Sequence, residues 1–222
     1  MEAVRNFLPL LIDAAVLTSW MFAVISAVSL VLALAVALAE RFFMPSLGYV
    51  AVVYSWILRS VPELIVLLAC YLALPQVGVA LSPVPAAIVG FVLVRSAYDY
   101  ELLRGALNAI DRGQIEACRA LGMPRRAMIW RVVLPQTARI AIAPWVSQAV
   151  GALKGMSLAS AISVSEVMNV TRQGIVATGK PFEFIFAAAL LYGLISSVLL
   201  VLETYLERRT NYLAGQNAAL SA

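Results

Sequence analysis

The residues of this chain that could do chemistry sit inside apolar runs. Arg59 and Glu63 are four residues apart in one run, Arg95 and Asp99 four apart in another with Glu101 close behind, and Lys154 precedes Ser157 in a third. A charge at the middle of a bilayer costs at least about 2.5 to 3.5 kcal/mol, so such groups are functional candidates by default. A four-residue spacing puts each acid and its arginine on one helix face, where the pair can neutralise itself. Lys154 has no local partner, and Glu166 lies near the outer end of its run. This is a chemistry of holding charge rather than of making bonds. The absence of histidine removes Ser-His-Asp and Cys-His catalysis, His-ligated zinc and imidazole proton relays. Cys70 and Cys118 fall in an apolar stretch and a charged loop, positions that suit small packing residues better than a disulfide framework.

The elements that must position these groups follow from composition. Of 222 residues, 63% are hydrophobic and 13% charged, against a charged share of about 25% in soluble domains. Apolar runs at about 14–39, 48–75, 84–103, 140–164 and 184–206 each approach or exceed the roughly 20 residues of a spanning helix. The alternation of a membrane barrel is missing. The expected fold is all-α: a polytopic membrane protein with five transmembrane helices, residues 1–222 forming one domain. Seven arginines lie between Arg104 and Arg139, and Arg41, Arg208 and Arg209 share their side, against Arg5, Arg172 and Lys180 opposite. The positive-inside rule then sets the N-terminus outside and the C-terminus inside. The first run is too long for a signal peptide and lacks a cleavage pattern, so it reads as a permanent span. A net charge of +4 without a dense basic patch argues against nucleic acid. Pro62 should kink the second run, Gly90, Gly151, Gly155 and Gly193 could permit close helix contacts, and the small, polar segment from Asn211 to Ala222 reads as a frayed tail.

Between the third and fourth runs, a loop at about 108–136 carries ordered signals. A short helix is expected at about 112–121, with Ile115, Cys118, Ala120 and Leu121 as its apolar face and Arg112, Glu116 and Arg119 around it. Gly122 stands where a left-handed residue ends a helix. Pro124 suits the first turn of a second helix, expected to run to about Leu134 before Pro135 breaks it. Two such helices across a cytoplasmic face would make rigid levers for a force-generating subunit.

Glu116-Ala117-Cys118, then Gly122 and Leu134-Pro135, resembles the EAA loop of the permease subunits of bacterial ATP-binding cassette (ABC) importers. Arg104-Gly105-Ala106-Leu107, Gly113-Gln114 and Arg119-Ala120-Leu121-Gly122 are similar to the extended loop of the polar amino acid group, and Arg59 with Pro62 and Lys154 with Ser157-Leu158 match it too. The resemblance covers about residues 18–209. It implies a multi-pass permease of the bacterial cytoplasmic (inner) membrane, surrounded by lipid, that performs no chemistry itself. Two permease chains, identical or different, would form the pathway. A cytoplasmic ABC ATPase dimer would carry ATP and Mg, so this chain holds no cofactor, and a periplasmic or extracellular solute-binding protein would deliver an amino acid. No G-x-x-x-x-G-K-[ST] phosphate loop occurs, consistent with a nucleotide site on another polypeptide.

The same resemblance gives Arg112, Gln114, Glu116, Ala117, Arg119, Gly122, Leu134 and Pro135 to ATPase coupling, small Ala117 permitting close approach. It gives Arg59, Glu63, Arg95, Asp99, Lys154 and Ser157 to the substrate pathway, where cations would meet a carboxylate and acids an ammonium. The chain departs from the family at Arg59-Ser60-Val61-Pro62, usually Arg-Gly-Thr-Pro, and at Lys154-Gly155-Met156-Ser157-Leu158, usually Lys-Asp-Thr-Ser-Leu. The missing carboxylate and two hydroxyls favour a second, better-equipped permease, and Val61-Pro62-Glu63-Leu64 is similar to members serving basic amino acids or opines. The other class open to such charges is a secondary transporter or channel driven by ion gradients, which leaves the ordered loop unexplained.

Overall fold

The computed structural model describes residues 2–220, the side chains of residues 2, 203 and 207–220 excepted. Every regular element among them is helical. Helix α1 (Glu2–Phe42) is one rod of 41 residues, about 60 Å at 1.5 Å per residue. Its buried positions include Leu11, Ala14, Thr18, Met21, Ile25, Ser29, Ala33 and Ala37, a stripe that recurs every three or four residues. Small side chains fill most of it, so a neighbouring helix can approach closely.

That neighbour is α4 (Pro83–Asn108), the central helix, which also packs against α2 (Leu47–Ser60) and α3 (Glu63–Leu68). Ala87, Phe91, Val94, Ala97, Tyr100, Leu103 and Leu107 of α4 are all buried, and so are Arg95 and Asp99. Helix α2 crosses α4 where the Ser55 hydroxyl donates to the Ala97 carbonyl at 3.1 Å and the Tyr54 hydroxyl to that of Leu93 at 2.8 Å.

The expected second span is broken rather than kinked. Helix α2 stops at Ser60, and the chain turns through 102° into α3 and the segment that follows it. Val61 is extended, with φ −94° and ψ 135°. A residue before proline is pushed out of the helical region, and Pro62 itself has no N–H to continue the ladder.

Helix α5 (Arg112–Ala120) leads through α6 (Arg125–Met128) into α7 (Leu134–Gly155). Pro135 does not break this last run. A π-helical turn at Ile129–Val133, in which the Leu134 N–H reaches back to the Ile129 carbonyl, absorbs it. The extra residue in the turn removes the clash that a proline ring makes with the preceding turn. The same device precedes Leu74-Pro75, where the turn is Ala69–Ala73. Residues 125–155 thus form one continuous helical lever.

After a 3-10 segment (Met156–Ile162) come α8 (Val167–Thr178) and α9 (Pro181–Leu220). The fourth apolar run, expected at 140–164, therefore leaves the α-helical path at Gly155. Glu166 caps α8, accepting from the backbone N–H groups of Met168 and Asn169, and also accepts from the Tyr192 hydroxyl at 2.6 Å. A Cβ at Gly174 would lie 2.1 Å from the buried Phe184 ring, so α8 and α9 meet there only through a glycine. Gly90 is likewise close to Leu67, whereas nothing lies within 4 Å of a Cβ at Gly151 or Gly193. Helix α9 continues through Leu220, past the expected start of a tail at Asn211. Ser221 and Ala222 lie outside the described residues, and the side chains of Arg208 and Arg209 outside the described ones.

By length and composition, residues 3–42 and 181–206 can each cross a membrane alone, and the bent α2–α3 pair makes a third span if taken together.

Candidate functional site: the 108–136 loop and the charges within the bundle

Helix α5 is held at both ends by its own sequence. Asp111 precedes it and its carboxylate accepts from the Gly113 N–H at 2.6 Å, the N-cap signal of a short polar acceptor before a helix. At the other end Gly122 has φ +69°. Its N–H reaches the Arg119 carbonyl and that of Met123 reaches Cys118, both at 2.9 Å, the paired bonds of a Schellman stop. Ile115 and Cys118 are buried against Leu107, Met128 and Val133. Ala120 and Leu121 are not part of that face. Leu121 is 82% exposed, because the turn at Gly122 carries it outward.

Helical periodicity divides α5 into three sides. Ile115 and Cys118 face the bundle. Gly113, Ala117, Ala120 and Leu121 form an exposed stripe. Arg112, Glu116 and Arg119 border a cleft that includes Arg41 and Phe42 at the end of α1. Gln114 receives a hydrogen bond from Gln136 of α7 at 2.6 Å, and Arg125 donates to the Phe42 carbonyl at 3.2 Å. The loop is thereby tied to α1 and to the long lever that begins at Arg125. Pro135 is exposed, and Leu134 lines an apolar cleft with Leu30 and Leu103.

Within the bundle, Arg95 and Asp99 do pair, Nη2 to Oδ1 at 3.2 Å. Asp99 is fully buried and accepts from the Ser29 hydroxyl of α1 at 2.8 Å. The Arg95 Nη1 donates to the Gln148 carbonyl of α7 at 3.2 Å. The cluster therefore ties α1, α4 and α7 together at one level. It is not fully satisfied: Arg95 Nε, Asp99 Oδ1, Trp145 Nε1 and Gln148 Oε1 are buried without hydrogen-bond partners among the described residues. The 3.2 Å contact is a charge pairing, angled away from a hydrogen bond.

Arg59 and Glu63 do not pair, because the turn between them puts them on different helices. Arg59 reaches Glu101 of α4 at 3.6 Å and lies over the Tyr98 ring, 5.7 Å from its centroid. Glu101 also faces Arg104 at 3.9 Å, and Arg104 pairs with Glu40 of α1 at 3.2 Å. The Tyr100 hydroxyl donates to the same Glu40 carboxylate at 2.6 Å. Arg59 thus begins a chain of alternating charge that runs to the end of α1.

Glu63 lies elsewhere. It shares a small cavity with Ser26 and Arg95, and its Oε2 is 3.2 Å from where a Cβ on Gly155 would stand. Gly155 adjoins Lys154, which is exposed and has no ion-pair partner among the described residues. The Ser157 hydroxyl donates back to the Lys154 carbonyl at 3.0 Å. Glu63 and Lys154 therefore bring an acid and a base to the same turn at the end of α7, whose exposed stripe continues through Gly151, Ser147 and Pro144. Ser29, Glu40, Tyr100 and Gln148 were not legible as site residues, since their partners are 53 to 70 positions away. Asp111 had a local signal, a cap residue directly before an amphipathic helix.

Residues 29–212 match the family described as binding-protein-dependent transport system inner membrane component. A probable amino-acid ABC transporter permease of Bacillus subtilis (strain 168) is 32% identical over 142 residues, 63% of this chain and 62% of that protein. An octopine transport system permease of Rhizobium radiobacter is 40% identical over 123 residues, 55% of this chain and 51% of that protein. The chain thus spans less than two thirds of the length of these relatives. The crystal structure of an amino acid ABC transporter with histidines superposes with a TM-score of 0.83 at 25% identity, covering 93% of this chain and 96% of that one.

Proposed function

We propose, for a chain that belongs to the family of binding-protein-dependent transport system inner membrane components, a role as the permease subunit of an ATP-driven importer of amino acids. The observation that carries this reading is α5. It is a short helix capped at both ends, with an exposed stripe of small residues around Ala117 and a rigid connection to α7. A nucleotide-binding subunit that grips the stripe moves the lever at residues 125–155. The lever ends at Gly155, against Glu63 and nearly two turns beyond Gln148, where the Arg95–Asp99 cluster meets α7, so closure of an ATPase pair is transmitted to the pathway.

In this reading the chain is one domain with five membrane passages, α2 and α3 together making the second. Its N-terminus is outside and its arginine-rich loop cytoplasmic, as the positive-inside rule requires. Arg112, Gln114, Glu116, Ala117, Arg119 and Gly122 serve coupling, and Leu134-Pro135 serves the lever. Glu63 and Lys154, with Ser157, offer an acid and a base to the ammonium and carboxylate of a substrate. Arg59, Arg95 and Asp99 are already engaged with protein partners and hold the helices that border the pathway. The octopine relative supports a cationic amino acid or opine as substrate. An ATPase dimer holding ATP and Mg, a second permease chain and a binding protein complete the assembly.

Uptake into vesicles reconstituted with the co-purified assembly tests this. Uptake that needs internal ATP and the external binding protein, and that survives a protonophore, is expected. Uptake that survives ATP depletion but stops with the protonophore would transfer the chain to the gradient-driven class.

A further inference from the structure

The two ends of α1 carry different helices. Ala37 and Phe42, at one end, pack with Ile115 and Cys118 of α5. Leu11 and Ala14, near the other, pack with Val167 and Val170 of α8. Beyond them Phe7 meets the Phe184 ring, on which Gly174 of α8 rests. Arg41 is 34 residues on from Phe7 in one helix, about 51 Å away. The hydrocarbon core is about 30 Å thick, and about 40 to 45 Å with its headgroups. With the α5 end of this rod level with one headgroup layer, the Phe7 end and the tip of α8 stand past the other.

Helix α8 is a firm platform there. Its inner side, Val167, Val170, Thr171 and Gly174, is buried, and Glu166 fixes its first turn with both carboxylate oxygens engaged. Arg172, Gln173, Val176 and Ala177 are exposed and share the opposite face. Val176 is 87% exposed, so apolar surface adjoins the guanidinium. The charge on this face is positive: Lys180, at the tip, pairs with Glu183 at 3.7 Å, but Arg172 makes no ion pair among the described residues. The Arg172 Nη2 donates to the Ser160 carbonyl at 2.9 Å, which aims the group. A guanidinium has five N–H donors, so others are left for an incoming carboxylate.

We infer that the exposed face of α8 is a docking surface for the external binding protein, with Arg172 taking a carboxylate and Val176 an apolar side chain of that partner. The inference rests on the function and orientation proposed above. Arginine is enriched in protein interfaces and lysine depleted, and a positive face selects a partner that presents acids. Docking there is also connected to the pathway. The Ser160 bond joins the surface to the 3-10 segment, which carries Ser157 and follows directly on the end of the lever. What the partner does to Arg172 therefore reaches the turn that holds Lys154 and Glu63.

Site-specific photo-crosslinking in living cells that produce the whole assembly tests this. On illumination, Val176→p-benzoylphenylalanine is expected to join the chain to a secreted solute-binding protein, identified by mass spectrometry. The same protein, purified, is expected to be the one that supports uptake by the reconstituted vesicles. Val198→p-benzoylphenylalanine, 71% exposed on α9 within its apolar span, should capture no binding protein. Adding Arg172→Glu should lower the cross-linked yield about tenfold, since like charges then face each other, and Arg172→Lys should keep most of it. Ala177→Glu, which leaves the Ser160 bond in place, should lower it as well. A cross-link from position 176 to a second permease chain would overturn the assignment, because the face would then lie inside the dimer. Cross-links to lipid alone would overturn it too, by placing α8 in the membrane, and so would full yield with Arg172→Glu. A failure of the proposed function shows elsewhere, in vesicles whose uptake needs neither ATP nor the binding protein.

Discussion

Arg59, in the last turn of α2, is bound to α4 through Glu101 at 3.6 Å and through the Tyr98 ring at 5.7 Å. Both charged partners are partly exposed, so the pair contributes under about 1 kcal/mol to stability. Its value is positional: it fixes the end of α2 where the chain turns. Arg59→Glu is expected to lower uptake by the reconstituted transporter with little change in melting temperature. Arg59→Glu/Glu101→Arg should recover uptake, whereas recovery no better than the single variant would show that the contact has no part in it.

Gly122 offers a sharper case, because its φ of +69° is a conformation that β-branched residues adopt only under strain of about 1 to 3 kcal/mol. Gly122→Val should leave the chain in the membrane fraction yet reduce the ATPase recovered with it. Gly122→Asn, which tolerates the left-handed region, should retain most. Membrane fractionation and co-purification read the two effects separately.

The Arg95–Asp99 cluster is expected to respond as a unit. Removing one partner leaves the other charge buried and uncompensated, a loss of about 3 to 5 kcal/mol, while replacing both by apolar residues of similar size can be neutral. Arg95→Met and Asp99→Leu should each lower the melting temperature of the purified protein. The double variant should melt closer to the unaltered chain than either single one, and additive losses would contradict coupling.

At Gly174 a methyl group has nowhere to go, since its carbon would stand 2.1 Å from the Phe184 ring, which is itself packed edge-on against Phe7 at 5.3 Å between centroids. Gly174→Ala should destabilise by about 1 to 3 kcal/mol through overpacking. Phe184→Leu in the same chain should return part of it, as seen in the melting temperature.

What could be foreseen in the sequence was local. The C-terminal end of α5 was legible because Gly122 acts on its own few neighbours, and Arg95 with Asp99 because a four-residue spacing inside one helix settles the contact. The same rule failed for Arg59 and Glu63, since it presumes an unbroken helix and Pro62, with the extended Val61 before it, ends one. Pro135 misled in the opposite direction: a single π-helical turn absorbs it, and nothing in Ile129–Val133 announces that turn. Glu40 with Arg104, and Ser29 with Asp99, join residues that only the packing of α1 on α4 brings together. No pattern within either segment encodes that.

Whether α5 is the grip of a separate ATPase is tested most directly by affinity purification of the tagged chain from mild detergent, with mass spectrometry of what accompanies it. Recovery of a cassette ATPase with the unaltered chain, much reduced with Gly122→Val, is the expected result. Recovery of the chain alone across several mild detergents would contradict it.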